Sequence, residues 1–460
     1  MLTQIYIIII TSATVIDIFL FYSLGKNFAD LELIFLYHEY ISLFMFFLIL
    51  LRNYYREKKE ILNIKNLYLF SFYIYCLAII YLDLVGIYPF EKAVLFKAIT
   101  FDKYEKIKIL LIISLSLFGL ALGLEIKGFK KKRTNEIKIS IKFLKILSIS
   151  SFFFINLENF NKIKLVMSKG YLALYSDYYK GILGIFNFYI KDLFWASICI
   201  MILKNKKLKW PYILAILTIL MSALTGKRSD ALPYILMLLL VSKVSNNIKI
   251  SLKKILFLII LLSSLSQIIS NFRSGLIISF NPLSVVNEFL LEQSKQYQIL
   301  GYALKYEFQL TGWGYVFEPF FLYLKNNFFR LIGYVRPLNN TVEILSYTKI
   351  LGSDLGYLIN PKRFLNGEGI GGFAIADLYM DFGLLGVLLG YFIIGYFLKK
   401  ADIVIKQKSY FSIFIILLIP NIFLHPRLSF LINLFEIEKK IVVLFFIFYG
   451  NKIIKKIQNK

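Results

Sequence analysis

The sequence predicts an all-α fold: a polytopic transmembrane helical bundle of about twelve spans with a large helical insert on its outer side. Three observations carry this. Of 460 residues, 58% are hydrophobic and 17% aromatic, with a mean hydropathy of +0.68, well above a soluble domain. The apolar residues come in repeated runs of roughly 18 or more, the length a helix needs to cross a bilayer. Lys and Arg concentrate in alternate connections between those runs, the asymmetry that orients membrane helices.

Hydropathy places spans at 3–24, 31–51, 67–88, 107–124, 143–157, 182–203, 210–225, 231–247, 255–270, 377–398, 410–424 and 437–454. The opening MLTQIYIIII has neither a basic n-region nor a small-residue cleavage site, so it reads as a retained first span and not a signal peptide. Segments 52–66, 125–145, 204–209, 243–254, 399–408 and 451–460 hold 29 Lys plus Arg in 74 residues. The other connections, 25–30, 89–106, 157–181, 226–230, 271–376 and 425–427, hold 21 in 163. Both termini are therefore expected in the cytoplasm. The chain reads as one integral membrane domain, 1–460, with an extracytoplasmic insert at 271–376 between spans nine and ten.

A net charge of +26 would point to nucleic acid in a soluble protein, but here it belongs to loop lysines. The expected partner is the bilayer, with no nucleic acid. Cys76 and Cys199 both fall inside apolar runs, giving neither a disulfide framework nor metal-ligand spacing. No metal or cofactor is expected.

Within the insert, Val286, Phe289, Leu290, Tyr297, Leu300, Leu304 and Phe308 recur at three-to-four-residue spacing, as in a helix lying on the membrane or capping the bundle. The following TGWGYVFEPFFLYLKNNFFRLIGYVRP is dense in aromatics, suited to interfacial anchoring or to stacking on sugars. The insert closes on GEGIGGFAIADLYMDFGLLGVLLGYFIIGYF, residues 367–397. Its glycines, Gly367, Gly369, Gly371 and Gly372, precede a helix expected to start near Asp377. Free amides at a helix N-terminus suit a pyrophosphate anion; the other reading is that glycines let the chain turn and pack closely. Gly386 and Gly390 have a helix-packing spacing.

Arginine is distributed unlike lysine. Of nine arginines, Arg228, Arg273, Arg330, Arg336, Arg363 and Arg427 fall in outer connections, where a planar guanidinium fork can bind phosphate through two hydrogen bonds. Arg228 sits in the short turn TGKRSD and Arg273 directly follows the ninth span, both at headgroup depth. Arg330 reads as an amphipathic-helix residue, and His425 and Arg427 occupy HPR in the last outer turn. TGKRS is no phosphate-binding loop, because Met221 stands where that pattern needs glycine. No Asp-x-Asp pair exists to hold a metal-bound nucleotide sugar. Asp377 and Asp381 lie one helical turn apart, with Glu368 nearby. Asp17, Asp83, the neighbours His38 and Glu39, and the neighbours Lys191 and Asp192 fall within or beside spans and read as pairings between helices.

The segment FLLEQSKQYQILGYALKYE, then LGSDLGYLINPKRFLNGEGIGGFAIADLYMDFGLLGVLLGYFIIGYF, resembles the Wzy-type O-antigen polysaccharide polymerases, most strongly over residues 270–400. The resemblance implies an inner-membrane glycosyltransferase, its active site facing the exterior, that builds lipopolysaccharide or capsule. The growing glycan would pass from undecaprenyl pyrophosphate to the next carrier-linked repeat unit, with a chain-length regulator as partner. It also implies that outer-loop arginines are functional, pointing to Arg228 and Arg273, and Glu368 departs from a position more often small or hydroxylated. The chemistry needs no metal: fixed cations take the leaving-group charge, and Asp377 is the expected proton acceptor. Arg336, Arg363, Gly369, Gly371, Gly372, His425 and Arg427 are the expected substrate-binding residues. Two alternatives share these features. A lipid-linked oligosaccharide flippase would be expected to show internal repeats, and none is apparent; an O-antigen ligase shares the donor chemistry, and the lack of His in 271–376 argues against it.

Overall fold

The computed structural model describes residues 2–24, 31–57, 60–90, 95, 100–126, 138–169, 182–205, 208–225, 228–246, 260–261, 264, 282–310, 314–331, 340–431 and 434–458, and these include no strand. The chain runs through α1 (Leu2–Leu24), α2 (Leu31–Arg56), and α3 (Ile64–Phe72), which passes through a π-helical turn, Tyr73–Leu77, into α4 (Ala78–Leu84). Then follow α5 (Lys103–Glu125), α6 (Ile141–Lys169), α7 (Ile182–Lys204), α8 (Trp210–Leu224) and α9 (Arg228–Asn246). The insert contributes α10 (Pro282–Ser294), α11 (Tyr297–Lys305), α12 (Glu318–Leu331), α13 (Val342–Tyr347), α14 (Leu351–Ile359) and α15 (Pro361–Leu365). The chain ends with α16 (Ala374–Ile405), α17 (Tyr410–Leu417), α18 (Ile419–Leu424) and α19 (Leu434–Gln458).

Among the described residues, six helical stretches are long and apolar enough to cross a membrane: Gln4–Tyr22, Leu31–Arg56, Ile64–Leu84, Lys103–Glu125, Ala374–Ile405 and Tyr410–Arg427. The other expected spans coincide with α6, α7, α8, α9 and α19, except 255–270, which falls largely outside the described residues.

Helix α5 is the centre of the bundle. It starts at a capping box, with Asp102 accepting from the Glu105 amide and Glu105 from the Asp102 amide, and it buries residues on every face. Its main partner is α16, and α1, α2 and α11 complete its surroundings. Between apolar helices in lipid, close backbone approach replaces the hydrophobic effect as the driving force. Accordingly, a Cβ on Gly123 would sit 2.1 Å from the Phe392 carbonyl oxygen, and one on Gly395 would sit 2.3 Å from that of Leu120.

Buried polar pairs tie further helices together, as the sequence led us to expect of these groups. His38 Nδ1 lies 2.5 Å from Asp17 Oδ1, both side chains wholly buried between α1 and α2. The Ser42 and Ser114 hydroxyls meet at 2.7 Å between α2 and α5. Asp192 lies 3.6 Å from Lys440 of α19, while its neighbour Lys191 stacks over the Tyr234 ring.

The basic connections gather at one end of the bundle. Arg52 and Arg56 both pair with Glu125. Lys65 and Lys406 both pair with Glu57, and Lys243 with Glu60. Lys399 donates to the Ile126 carbonyl, Lys204 to that of Ile139 and Lys408 to that of Ser245, and Asn451 accepts from the Ser140 amide. The described residues of the connections rich in Lys and Arg thus share one end of the bundle.

One measurement checks this end. Burial pushes the Glu57 carboxyl up, but its bonds to Lys406 and Lys65 outweigh that and hold it at about 2, below the ordinary 4.5. A depressed carboxylate stabilises above its unfolded pKa and loses that contribution as pH falls through its folded value. The difference in thermal stability between wild type and Glu57→Gln is therefore expected to be largest above pH 4.5 and to close toward pH 2. A difference that does not change over that window would remove Glu57 from the network.

Local departures from the sequence reading have physical causes. The amphipathic stretch of the insert is two helices, broken at Lys295–Gln296. It caps the bundle: Tyr297 donates to the Phe90 carbonyl, and Gly301 packs on the Phe101 ring, whereas Phe308 is fully exposed. Helix α6 runs on to Lys169, beyond the expected end at 157. Helix α16 begins at Ala374 and is interrupted at Gly383, whose φ of 63° and ψ of −155° suit glycine alone. There the chain turns sharply back: Cβ atoms on Gly386 and Gly390 would lie 2.8 Å from the Leu378 carbonyl oxygen and 2.6 Å from the Leu378 side chain, whereas a straight helix would separate residues 378 and 390 by about 18 Å. Gly386 and Gly390 therefore make room for their own lead-in segment. The part able to cross starts after Gly383, about 33 Å at 1.5 Å per residue.

Candidate functional site

The lead-in of α16 and the turn after α18 meet at the end of the bundle opposite the basic connections. Pro426 sits inside the 3₁₀ turn His425–Arg427, which follows α18 directly. His425 Nε2 donates to the Phe430 carbonyl at 3.1 Å, so its Nδ1 accepts from the Tyr68 hydroxyl, also at 3.1 Å. Ser71 donates to the Phe423 carbonyl. Asp377, 1% exposed, accepts the Phe430 amide at 2.9 Å on Oδ2, and its Oδ1 has no hydrogen-bond partner. Anchored from both sides in this way, the turn holds Arg427 in one place.

The Arg427 guanidinium lies 5.4 Å from the centre of the Tyr75 ring and donates to Gln293 Oε1 at 3.3 Å. Tyr75 belongs to the π-helical turn, a distortion that re-aims side chains and recurs at functional sites. The contact with the Tyr75 ring holds the guanidinium by a cation–π attraction. Among the described residues no carboxylate pairs with Arg427, so most of its five N–H groups remain for an anion.

The glycine entrance packs against this turn. A Cβ on Gly372 would lie 2.6 Å from the Ser429 amide nitrogen, and one on Gly352 would lie 1.8 Å from the Gly371 carbonyl oxygen. Gly371 has a φ of +84°, and its Cα faces Gln296, whose Oε1 is buried without a partner. Gly369 and Gly371 are exposed. Close packing and open backbone thus alternate along the run. Beyond it, Arg363 is held by Glu368, with Nη2 2.7 Å and Nε 2.9 Å from Oε2.

The profile of the family described as O-antigen polysaccharide polymerase Wzy matches residues 4–457, nearly the whole chain. The chain belongs to this family. No curated protein and no solved structure matches it. As a Wzy-family chain it is a repeat-unit polymerase that works in the membrane on lipid-linked oligosaccharide.

Of the residues singled out for a Wzy polymerase, the fold brings Asp377, Gly371, Gly372, His425 and Arg427 together, with Gly369 and the Arg363–Glu368 pair beside them. Asp381 faces elsewhere, accepting the amides of Gly314, Tyr315 and Val316 at 2.7, 3.0 and 2.7 Å. Arg228 opens α9. Because the far end of α9 is tied to Glu60 and Lys408, and α9 packs along α18, Arg228 lies at the Arg427 end of the bundle. Arg273 and Arg336 lie outside the described residues. Sequence reasoning missed Tyr75, Gln293 and Gln296, whose chemistry appears only where distant segments meet; the one available signal was that Gln293 and Gln296 fall in the stretch carrying the family resemblance.

Proposed function

We propose that the protein extends O-antigen by transferring the growing glycan from its undecaprenyl pyrophosphate carrier to the next carrier-linked repeat unit, with Arg427 gripping the diphosphate. The observation that carries this reading is a guanidinium without a carboxylate partner among the described residues, held over the Tyr75 ring and steadied by Gln293 at the end away from the basic connections. Cleavage of the sugar–diphosphate bond builds negative charge on the leaving group, and a preorganised donor aimed at such charge contributes roughly 3–4 kcal/mol. Arg228, at the same end, is the second cation of this grip, and Arg273 and Arg336 are assigned to it from their outer positions in the sequence. Exposed backbone at Gly369 and Gly371 offers further contacts to the diphosphate.

Asp377 receives a different role from that expected of it. Buried beneath the turn and bonded to the Phe430 amide, it is better placed to set the position of Arg427 than to meet a sugar. His425, with both ring nitrogens engaged, has the same positioning role. The reading includes an inner-membrane location with cytoplasmic termini, a site facing the exterior, metal-independent chemistry and a chain-length regulator as partner.

The test is the length of the product. Arg228→Ala and Arg273→Ala proteins are expected to insert normally while the surface glycan stops at a single repeat on a gel. Full-length ladders from both would take these two arginines out of the mechanism.

A further inference from the structure

Resting on the polymerase reading, we propose that Asp354 and Tyr315 form the acceptor subsite of this enzyme: the Tyr315 hydroxyl holds the attacking sugar hydroxyl, and Asp354 takes its proton. Tyr315 is 2% exposed, and its hydroxyl makes no hydrogen bond of full geometry; the polar group beside it is the Asp354 carboxyl. Buried hydroxyls are nearly always fully satisfied, so one met only loosely, by the carboxylate beside it, has bonding capacity left for a ligand. Asp354 lies next to it, on α14, and is only partly buried. The backbone beneath Tyr315 is fixed, because Asp381 accepts the amides of residues 314 to 316. Helix α14 is fixed as well, by the contact of Gly352 with the Gly371 carbonyl. That contact holds α14 against the glycine entrance, and Asp381 belongs to the same lead-in helix as Asp377. Donor and acceptor groups therefore share one frame.

The electrostatics suit a base. Burial pushes the Asp354 carboxyl up to about 7, with Glu318 adding to the effect, while the neighbouring Tyr315 hydroxyl and Lys349 pull the other way. Burial and the carboxylates of Asp354, Asp381 and Asp377 push the Tyr315 phenol up, so it stays a proton donor. A base is most effective when its pKa lies near the working pH. In the step, the acceptor oxygen bonds to the anomeric carbon as its proton moves to Asp354. The bond from that carbon to the diphosphate breaks, the electron pair leaves on the diphosphate, and Asp354 then passes the proton to water.

The experiment uses the full-length protein in proteoliposomes, with carrier-linked repeat units extracted from the source strain lacking its own polymerase. In wild type, kcat is expected to rise with pH along a limb centred near the Asp354 value of about 7. Asp354→Asn is expected to lower kcat roughly 10²–10⁴-fold and to abolish the limb. Tyr315→Phe is expected to raise the KM for the acceptor and to move the limb to higher pH, because a contact that lowers the Asp354 pKa is lost; a merely structural tyrosine would not move it. Asp354→Asn with kcat within about threefold of wild type and the same limb overturns the proposal, as does an unmoved limb in Tyr315→Phe. If Asp354→Asn does not assemble, Tyr315→Phe decides alone. Arg427→Ala in the same assay separates the two readings: if it blocks extension while Asp354→Asn does not, only the acceptor subsite falls, and if it extends chains normally, the donor reading falls.

Discussion

Replacing Arg427 with alanine is expected to leave the protein folded and inserted while lowering kcat for chain extension by roughly 10²–10³-fold, the usual cost of removing one preorganised donor from a developing anion. The side chain is only partly buried and makes one hydrogen bond, to Gln293, and one ring contact, to Tyr75. Truncation thus strands no buried charge, and the thermal midpoint is expected to change little. Arg427→Lys is expected to recover little activity. Lysine keeps the charge but not the planar fork. The loss is expected in kcat more than in KM, because the grip strengthens as the sugar–diphosphate bond breaks and charge collects on the leaving group. The readout is glycan length on a gel together with initial rates in proteoliposomes. Normal ladders from Arg427→Ala, or full rescue by lysine, would each contradict a diphosphate grip by this guanidinium.

The frame of this site was legible in the sequence, and its contacts were not. Hydropathy placed the helices, because crossing a bilayer demands length and apolarity that the sequence carries locally. Lys and Arg counts sorted the connections into two groups, and the pairings of Glu57, Glu125 and Lys243 bring described residues of the basic group together at one end. Asp377 and Arg427 stood out as charges at the outer ends of apolar runs. Tyr75 and Gln293 did not, since an aromatic within a span and a glutamine in an amphipathic helix are both ordinary, and only folding brings them to Arg427. Gly383 was hidden for another reason: glycine in an apolar helix reads as a packing contact, and nothing local reveals a positive φ. Glu368 had stood out as a departure from the family pattern. Its pairing with Arg363 gives that departure a physical role, since the carboxylate neutralises one of the outer arginines, whereas Arg427 has no carboxylate partner among the described residues.

Gly123→Ala is expected to destabilise the protein by about 1–3 kcal/mol, the cost of forcing extra volume into a close-packed interface, and to lower activity without touching the site. The added Cβ would lie 2.1 Å from the Phe392 carbonyl oxygen and 2.8 Å from the Tyr396 amide nitrogen. Both are backbone atoms, so no side-chain rotation relieves the clash and α5 and α16 must separate. In lipid this contact has no hydrophobic gain to fall back on, because the tails solvate leucine as well as a neighbouring helix does. Separation also moves the far end of α16, where the reversal at Gly383 carries Asp377 and with it the turn that holds Arg427. Gly450→Ala is the matched control: its Cβ would meet only the Phe143 ring, at 3.0 Å, and a ring edge can shift. Thermal unfolding in detergent is expected to drop for Gly123→Ala and barely move for Gly450→Ala, with extension falling in the first alone. Equal stability of the two variants would mean that the α5–α16 seam does not hold the site in place.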